Sequence, residues 1–187
     1  RTTGNEGGCP RRGTRHSDGE IVLKFEGIYT PAITPLGPEG EIDRDGFAAV
    51  LEQLIEAKVH GIIVGGSTGE YYAQTAQERF DLAAYARQVI GTRLPLIVGT
   101  GATRTEDSIE YAKAAKEIGA DAILVSSPPY ALPTERENAV HALAVDRAAN
   151  LPIMLYNYPA RMGVMMGEDY FSRVGKSRNV VAIKESS

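Results

Sequence analysis

The 187 residues are 43% hydrophobic and 24% charged with a formal charge of −4, a composition that supports one sizeable core and excludes disorder for most of the chain. No lysine and arginine stripe interleaves with aromatics, and no apolar run approaches the ~20 residues of a spanning helix, so neither nucleic acid nor a membrane is an expected partner. The single cysteine, Cys9, offers neither an internal disulfide nor a metal cluster, which points to a reducing compartment, by default the cytoplasm.

Residues 1–24 differ from the rest. Arg1 to Glu20 holds Gly4, Gly7, Gly8, Gly13 and Gly19 with Arg11, Arg12 and Arg15, and no apolar periodicity, so it is expected to be a disordered leader or an appended remnant. From Phe25 onward one unit repeats at ~30 residues, the size of a strand followed by a helix. The predicted strand cores are Gly27 to Ile33, Gly61 to Gly65, Leu94 to Thr100, Asp121 to Ser126, Leu151 to Asn157 and Asn179 to Glu185.

The segments between them read as amphipathic helices. Phe47, Val50, Leu51, Leu54 and Ile55 fall at helical spacing in the first, after the acidic Asp43 and Asp45. Three later helices open on a capping-box pattern: Thr75 with Glu78, Thr103 with Glu106, and Thr134 with Glu137. Gly119 and Asn150 tolerate the left-handed cap and mark the ends of the third and fourth helices, and a last short helix is expected around Glu168 to Val174.

Strict alternation of strands and helices predicts a parallel sheet with helical cover, either doubly wound or a (β/α)8 barrel. Every unusual loop follows the carboxyl end of a strand. These are Thr30-Pro31, Gly65 to Glu70, Gly99 to Thr103, Ser126 to Tyr130, Tyr156 to Pro159, and Lys184 to Ser187. That distribution favours the barrel, and no G-x-G-x-x-G or P-loop supports a nucleotide fold. Six strands cannot close a barrel of eight, so the chain is expected either to be a fragment or to lack strands seven and eight.

The last strand, Asn179 to Glu185, is apolar apart from Lys184 near its end, and it reads as a strand buried on both faces. Desolvation of a lysine favours the neutral amine that attacks a carbonyl to form a Schiff base, although a strand-end lysine can also snorkel to water or pair with Glu185. The turn Gly65-Gly66-Ser67-Thr68-Gly69 offers backbone amides and two hydroxyls, a cradle for a carboxylate beside that ketone or a plain strand-to-helix turn. Tyr156 ends a strand, where a phenol can move protons or simply complete the core, and Arg161 just beyond it could hold a second carboxylate or face solvent. His16, His60 and His141 are scattered, so a metal-dependent aldolase has little support.

With these residues in order, the sequence resembles the dihydrodipicolinate synthase and N-acetylneuraminate lyase family of class I aldolases. The matching stretches are Gly27-Ile28-Tyr29-Thr30-Pro31 with Thr34-Pro35, Gly66-Ser67-Thr68-Gly69-Glu70, Gly99-Thr100-Gly101, Pro128 to Tyr130, Tyr156-Asn157 with Pro159, and Ala182-Ile183-Lys184-Glu185. The resemblance implies a (β/α)8 TIM barrel of which residues 25–187 supply the strands of the first six units, acting as an incomplete catalytic domain. It implies pyruvate or a related 2-oxo acid as substrate, no cofactor or metal, and a homotetramer. By position it makes Lys184 the Schiff-base residue, Tyr156 the proton shuttle, and Gly66, Ser67 and Thr68 the carboxylate binders. Tyr130 falls where many synthases place a tyrosine that reaches a neighbouring subunit's site, completing a relay with Tyr156 and Ser67. Arg161 resembles the synthase arginine that holds the aldehyde substrate's carboxylate, which favours a dihydrodipicolinate synthase-like condensation with an amino-aldehyde acid. Ser67 and Pro129 stand where synthases usually carry a threonine and a tyrosine. The runner-up is an aldolase or dehydratase of 2-oxo-3-deoxy sugar acids, or an N-acetylneuraminate lyase-like enzyme. A non-catalytic truncated barrel or ligand-binding relative is the alternative of another class.

Overall fold

The computed structural model describes residues 25–187; the leader expected over residues 1–24, with Cys9 and His16, lies outside the described residues. Six strands alternate with helices: β1 (Tyr29–Pro31), α1 (Arg44–Glu56), β2 (Gly61–Val64), α2 (Ala76–Ile90), β3 (Leu96–Gly99), α3 (Thr105–Glu117), β4 (Ala122–Ser126), α4 (Glu135–Ala149), β5 (Ile153–Asn157), α5 (Pro159–Met162), α6 (Glu168–Val174) and β6 (Val180–Glu185). Two short 3-10 turns, Ser67–Gly69 and Tyr71–Ala73, link β2 to α2.

All strand pairs are parallel, and the strands lie side by side in chain order from β1 to β6. A doubly wound sheet would reverse its order at a switch point, so the sequential order decides for the curled wall of a half-barrel. All strand carboxyl ends therefore share one rim.

Period-two alternation along the strands makes two cores. Ile62, Val64, Leu96, Val98, Ile123, Val125, Ile153 and Leu155 face the helices and join Phe47, Leu51, Ile90, Val145 and Tyr170. Ile63, Ile97, Ala122, Leu124, Met154 and Tyr156 form a smaller cluster on the concave face. Burying one such aliphatic side chain stabilises by roughly 1.5–3 kcal/mol, so β2 to β5, buried along their whole length, carry the fold.

The expectation that the last strand is buried on both faces is not met. Val181 is 43% and Ile183 52% exposed, because β6 is an edge with β5 as its one neighbour and nothing among the described residues covers those two side chains. The helix caps agree with the sequence at Thr75 with Glu78 and at Thr134 with Glu137, where both hydrogen bonds of the box form. They differ at the third helix. It begins at Thr105 with Arg104 as an N-cap that makes no side-chain bond, so Thr103 lies outside the box expected of it. The acidic Glu106 and Asp107 of the first turn complement the helix dipole there instead. Asn150 adopts the left-handed cap at φ 48°, and Gly119 follows the end of α3 at φ 75°.

His141 lies buried in α4, its Nδ1 2.9 Å from the Thr105 hydroxyl of α3. Burial pushes its pKa down to about 4, against a weaker opposing effect of the Ser126 backbone. The fold therefore holds the neutral ring, while the unfolded chain takes up a proton below about pH 6.5. Stability is complete above that value and falls as the pH drops towards 4. Between about pH 6.5 and about pH 5, where carboxylates are still ionised, the loss is on the order of 2 kcal/mol. Urea melts across this interval check it: His141→Leu should flatten the slope by that amount, and an unchanged slope would contradict a neutral buried ring.

Candidate active site

Segments at the carboxyl ends of β2, β3, β4 and β5 line a small cleft, and β6 joins them through Lys184. The first is the glycine turn after β2. Gly65 takes φ 65°, open to a residue without Cβ, and reverses the chain so that Gly66 and Ser67 face the concave side. Gly99 at the end of β3 packs directly on this turn, and a Cβ there would stand 2.1 Å from the Gly65 oxygen. The turn is held from below by Gly69, whose carbonyl accepts from the Thr34 hydroxyl at 2.8 Å and from Gln74 Nε2 at 2.8 Å. Ser67 is half-buried, whereas Thr68 is exposed.

Tyr156 is brought in by β5 and lies 5% exposed on the concave face. Lys184 reaches the same place from β6 by a change of register. Val180 pairs with Ile153 but Ala182 pairs with Met154, so Val181 is an extra residue in the ladder. Partners in adjacent strands point to the same face, and a one-residue slip exchanges the faces. Without the irregularity Ile183 would lie beside Tyr156 and Lys184 would point to the helix side. With it, Lys184 pairs with Tyr156, and its Nζ stands 3.5 Å from the centre of the Tyr156 ring.

Both ends of β6 are tied down. Asn179 Nδ2 donates to Asp146 Oδ1 at 2.7 Å at the start, and Asn157 Nδ2 donates to the Glu185 carboxylate at 3.0 Å at the end. Asn157 also accepts from the Met166 amide at 3.1 Å and, through its carbonyl, from the Ser186 amide at 3.0 Å. The bond to Asn157, followed by the Ser187 and Ser186 contacts, holds the Glu185 carboxyl below its usual range. Glu185 is thus occupied with Asn157, and among the described residues no carboxylate pairs with Lys184.

The Tyr156 phenol has burial as its largest single influence, which raises its pKa. The neighbouring Lys184, Ser67 and Ser186, together with the lysine's charge, outweigh burial and bring it below the ordinary tyrosine value. The structure so unites Lys184, Tyr156, Ser67 and Gly66. Arg161 follows on α5, exposed, with its guanidinium 5.7 Å from the Tyr158 ring and raised in pKa by hydrogen bonds to Tyr158 and Tyr72. It stands next to the group through Tyr158, which packs on Tyr156 at 5.6 Å. Tyr130 is not brought in: it is 93% exposed on the loop after β4, at φ 70°.

Sequence reasoning missed Ser186, Tyr71 and Ser126. Tyr71 and Ser126 line the small cleft that also holds Ser67 and Tyr156. Burial raises the Tyr71 phenol, partly offset by Arg79. Among the described residues no group of three or more histidine, cysteine, aspartate or glutamate side chains is placed to hold a metal ion, and no helix is long and apolar enough to cross a membrane.

The model of the dihydrodipicolinate synthetase family matches residues 24–187. The 4-hydroxy-tetrahydrodipicolinate synthase of Stenotrophomonas maltophilia strain R551-3 is 37% identical over 164 residues, covering 88% of this chain and 55% of the relative. Among solved structures, the 4-hydroxy-tetrahydrodipicolinate synthase from Methylacidiphilum fumariolicum SolV superposes with a TM-score of 0.84 at 35% identity, over 87% of this chain and 54% of that one. A dihydrodipicolinate synthase from Acinetobacter baumannii, complexed with pyruvate, gives 0.83 at 35% identity, over 86% and 55%. The chain spans about half the length of the curated relatives it matches.

Proposed function

This chain belongs to the dihydrodipicolinate synthetase family, and on that premise we propose that residues 25–187 carry the imine-forming site of a class I lyase acting on pyruvate or a related 2-oxo acid. The observation that supports this reading most is the seat of Lys184 Nζ, 3.5 Å over the ring of Tyr156, whose side chain lines one cleft with Gly66 and Ser67.

Once its ammonium has given up a proton, the Lys184 amine adds to the ketone carbon to give a carbinolamine, and loss of water gives the imine. Tyr156 delivers the proton that the departing hydroxyl needs, and a phenol of lowered pKa gives and regains a proton more readily near neutrality. The imine draws electrons from the adjacent methyl carbon, whose proton leaves to form the enamine. The amides of the Gly65-Gly66-Ser67 turn, with the Ser67 and Thr68 hydroxyls, hold the substrate carboxylate so that the ketone faces Lys184.

The enamine carbon then attacks an aldehyde, and hydrolysis frees the lysine. The second substrate in this reading is an amino-aldehyde acid, as for a 4-hydroxy-tetrahydrodipicolinate synthase, with Arg161 receiving its carboxylate. Tyr130, exposed here, would serve the site of an adjacent copy in a homotetramer. Assays of pyruvate consumption with an amino-aldehyde acid, run beside assays of pyruvate release from 2-oxo-3-deoxy sugar acids, test the substrate. Turnover of the aldehyde acid is expected; release from the sugar acids alone would replace the synthase reading with the aldolase one.

A further inference from the structure

Arg79 is 8% exposed in α2, and among the described residues it has no carboxylate partner. A buried unpaired cation is costly, and helical spacing puts it on the stripe of Leu82, Ala83, Ala86 and Ile90, where an aliphatic residue would fit more cheaply. Its guanidinium nonetheless finds two acceptors and two aromatic faces. Nη1 donates to the Gly101 carbonyl at 2.8 Å and Nη2 to the Gly99 carbonyl at 3.0 Å, while the planar group lies 3.5 Å over the Tyr111 ring and 4.9 Å from that of Tyr71.

The carbonyls belong to the end of β3 and the loop after it, which wall the cleft. A Cβ on Gly99 would stand 2.1 Å from the Gly65 oxygen, and one on Gly101 would meet Tyr71 Cζ at 3.0 Å and Ser126 Oγ at 3.1 Å. We infer that Arg79 is a positioning residue: its two-pronged bond to Gly99 and Gly101 sets the loop after β3, and through it the Gly65-Gly66 cradle and Tyr71, at the spacing a 2-oxo acid's carboxylate requires. A lysine cannot replace it, because one ammonium lacks the planar fork that spans two carbonyls and stacks on Tyr111. The inference rests on the reading of Lys184 as the imine-forming residue.

The test compares the parent chain with Arg79→Lys and Arg79→Met by hydrogen exchange and by borohydride trapping over a range of pyruvate concentrations. Loss of the two bonds should speed exchange in the peptide spanning residues 99–104 about tenfold in both variants, with β5 unchanged. The half-saturating pyruvate concentration should rise about tenfold, with the limiting trapping rate within about threefold of the parent. Unchanged loop exchange, a uniform rise across all strands, or an unmoved half-saturation overturns the assignment of Arg79 while leaving Lys184 intact. A parent chain that pyruvate and borohydride do not label overturns the Lys184 reading itself, and the role of Arg79 in the site falls with it.

Discussion

Lys184→Ala is expected to stop the exchange of pyruvate methyl protons for deuterium that the proposed imine would drive, a loss of roughly 10³-fold or more. Methyl exchange reports the enamine directly, since the proton leaves only once an imine has formed, and it needs no second substrate. Lys184 is half-buried at the exposed end of an edge strand and makes no ion pair among the described residues. Its removal, which loses the contact with the Tyr156 ring, should therefore change stability by no more than about 1 kcal/mol, so that lost exchange in a folded chain isolates the chemistry. Exchange persisting in the variant would mean that another group carries the imine.

Tyr156→Phe keeps the ring under Lys184 and removes only the hydroxyl beside Lys184, Ser67 and Ser186. Methyl exchange should fall about 10²- to 10³-fold, within the range for a positioned acid–base group. Because the phenol ionises below the ordinary tyrosine range, the alkaline absorbance change of this residue should also come early in the parent titration and vanish in the variant. A variant with parental exchange would reduce Tyr156 to a packing residue.

The order and location of the strands were legible because each buried strand carries apolar residues on both faces and each rim loop breaks that pattern with glycine, proline or hydroxyls. The end of the chain was less so. Val180 to Ile183 is as apolar as β2, and nothing within the segment says whether a neighbour covers it, so full burial was expected where Val181 and Ile183 are in fact exposed. Lys184 was identified for its chemistry, yet the extra residue at Val181 that turns it towards Tyr156 has no signature in a run of β-branched side chains. Thr103 and Thr105 both precede acidic residues, and local spacing could not choose between them. Ser186 was hidden because its contact with Tyr156 follows from the Asn157 bond that holds the end of β6. Arg79 was readable in principle: the period that aligns it with Leu82, Ala83 and Ala86 marks a buried cation, and a buried cation demands acceptors.

The most direct test of the central claim is intact mass after incubation with pyruvate and borohydride, followed by peptide mapping. One reduced pyruvate per chain is expected, located on Lys184 in the peptide that carries β6. A folded chain with no added mass, or with the label on any other lysine, would contradict it.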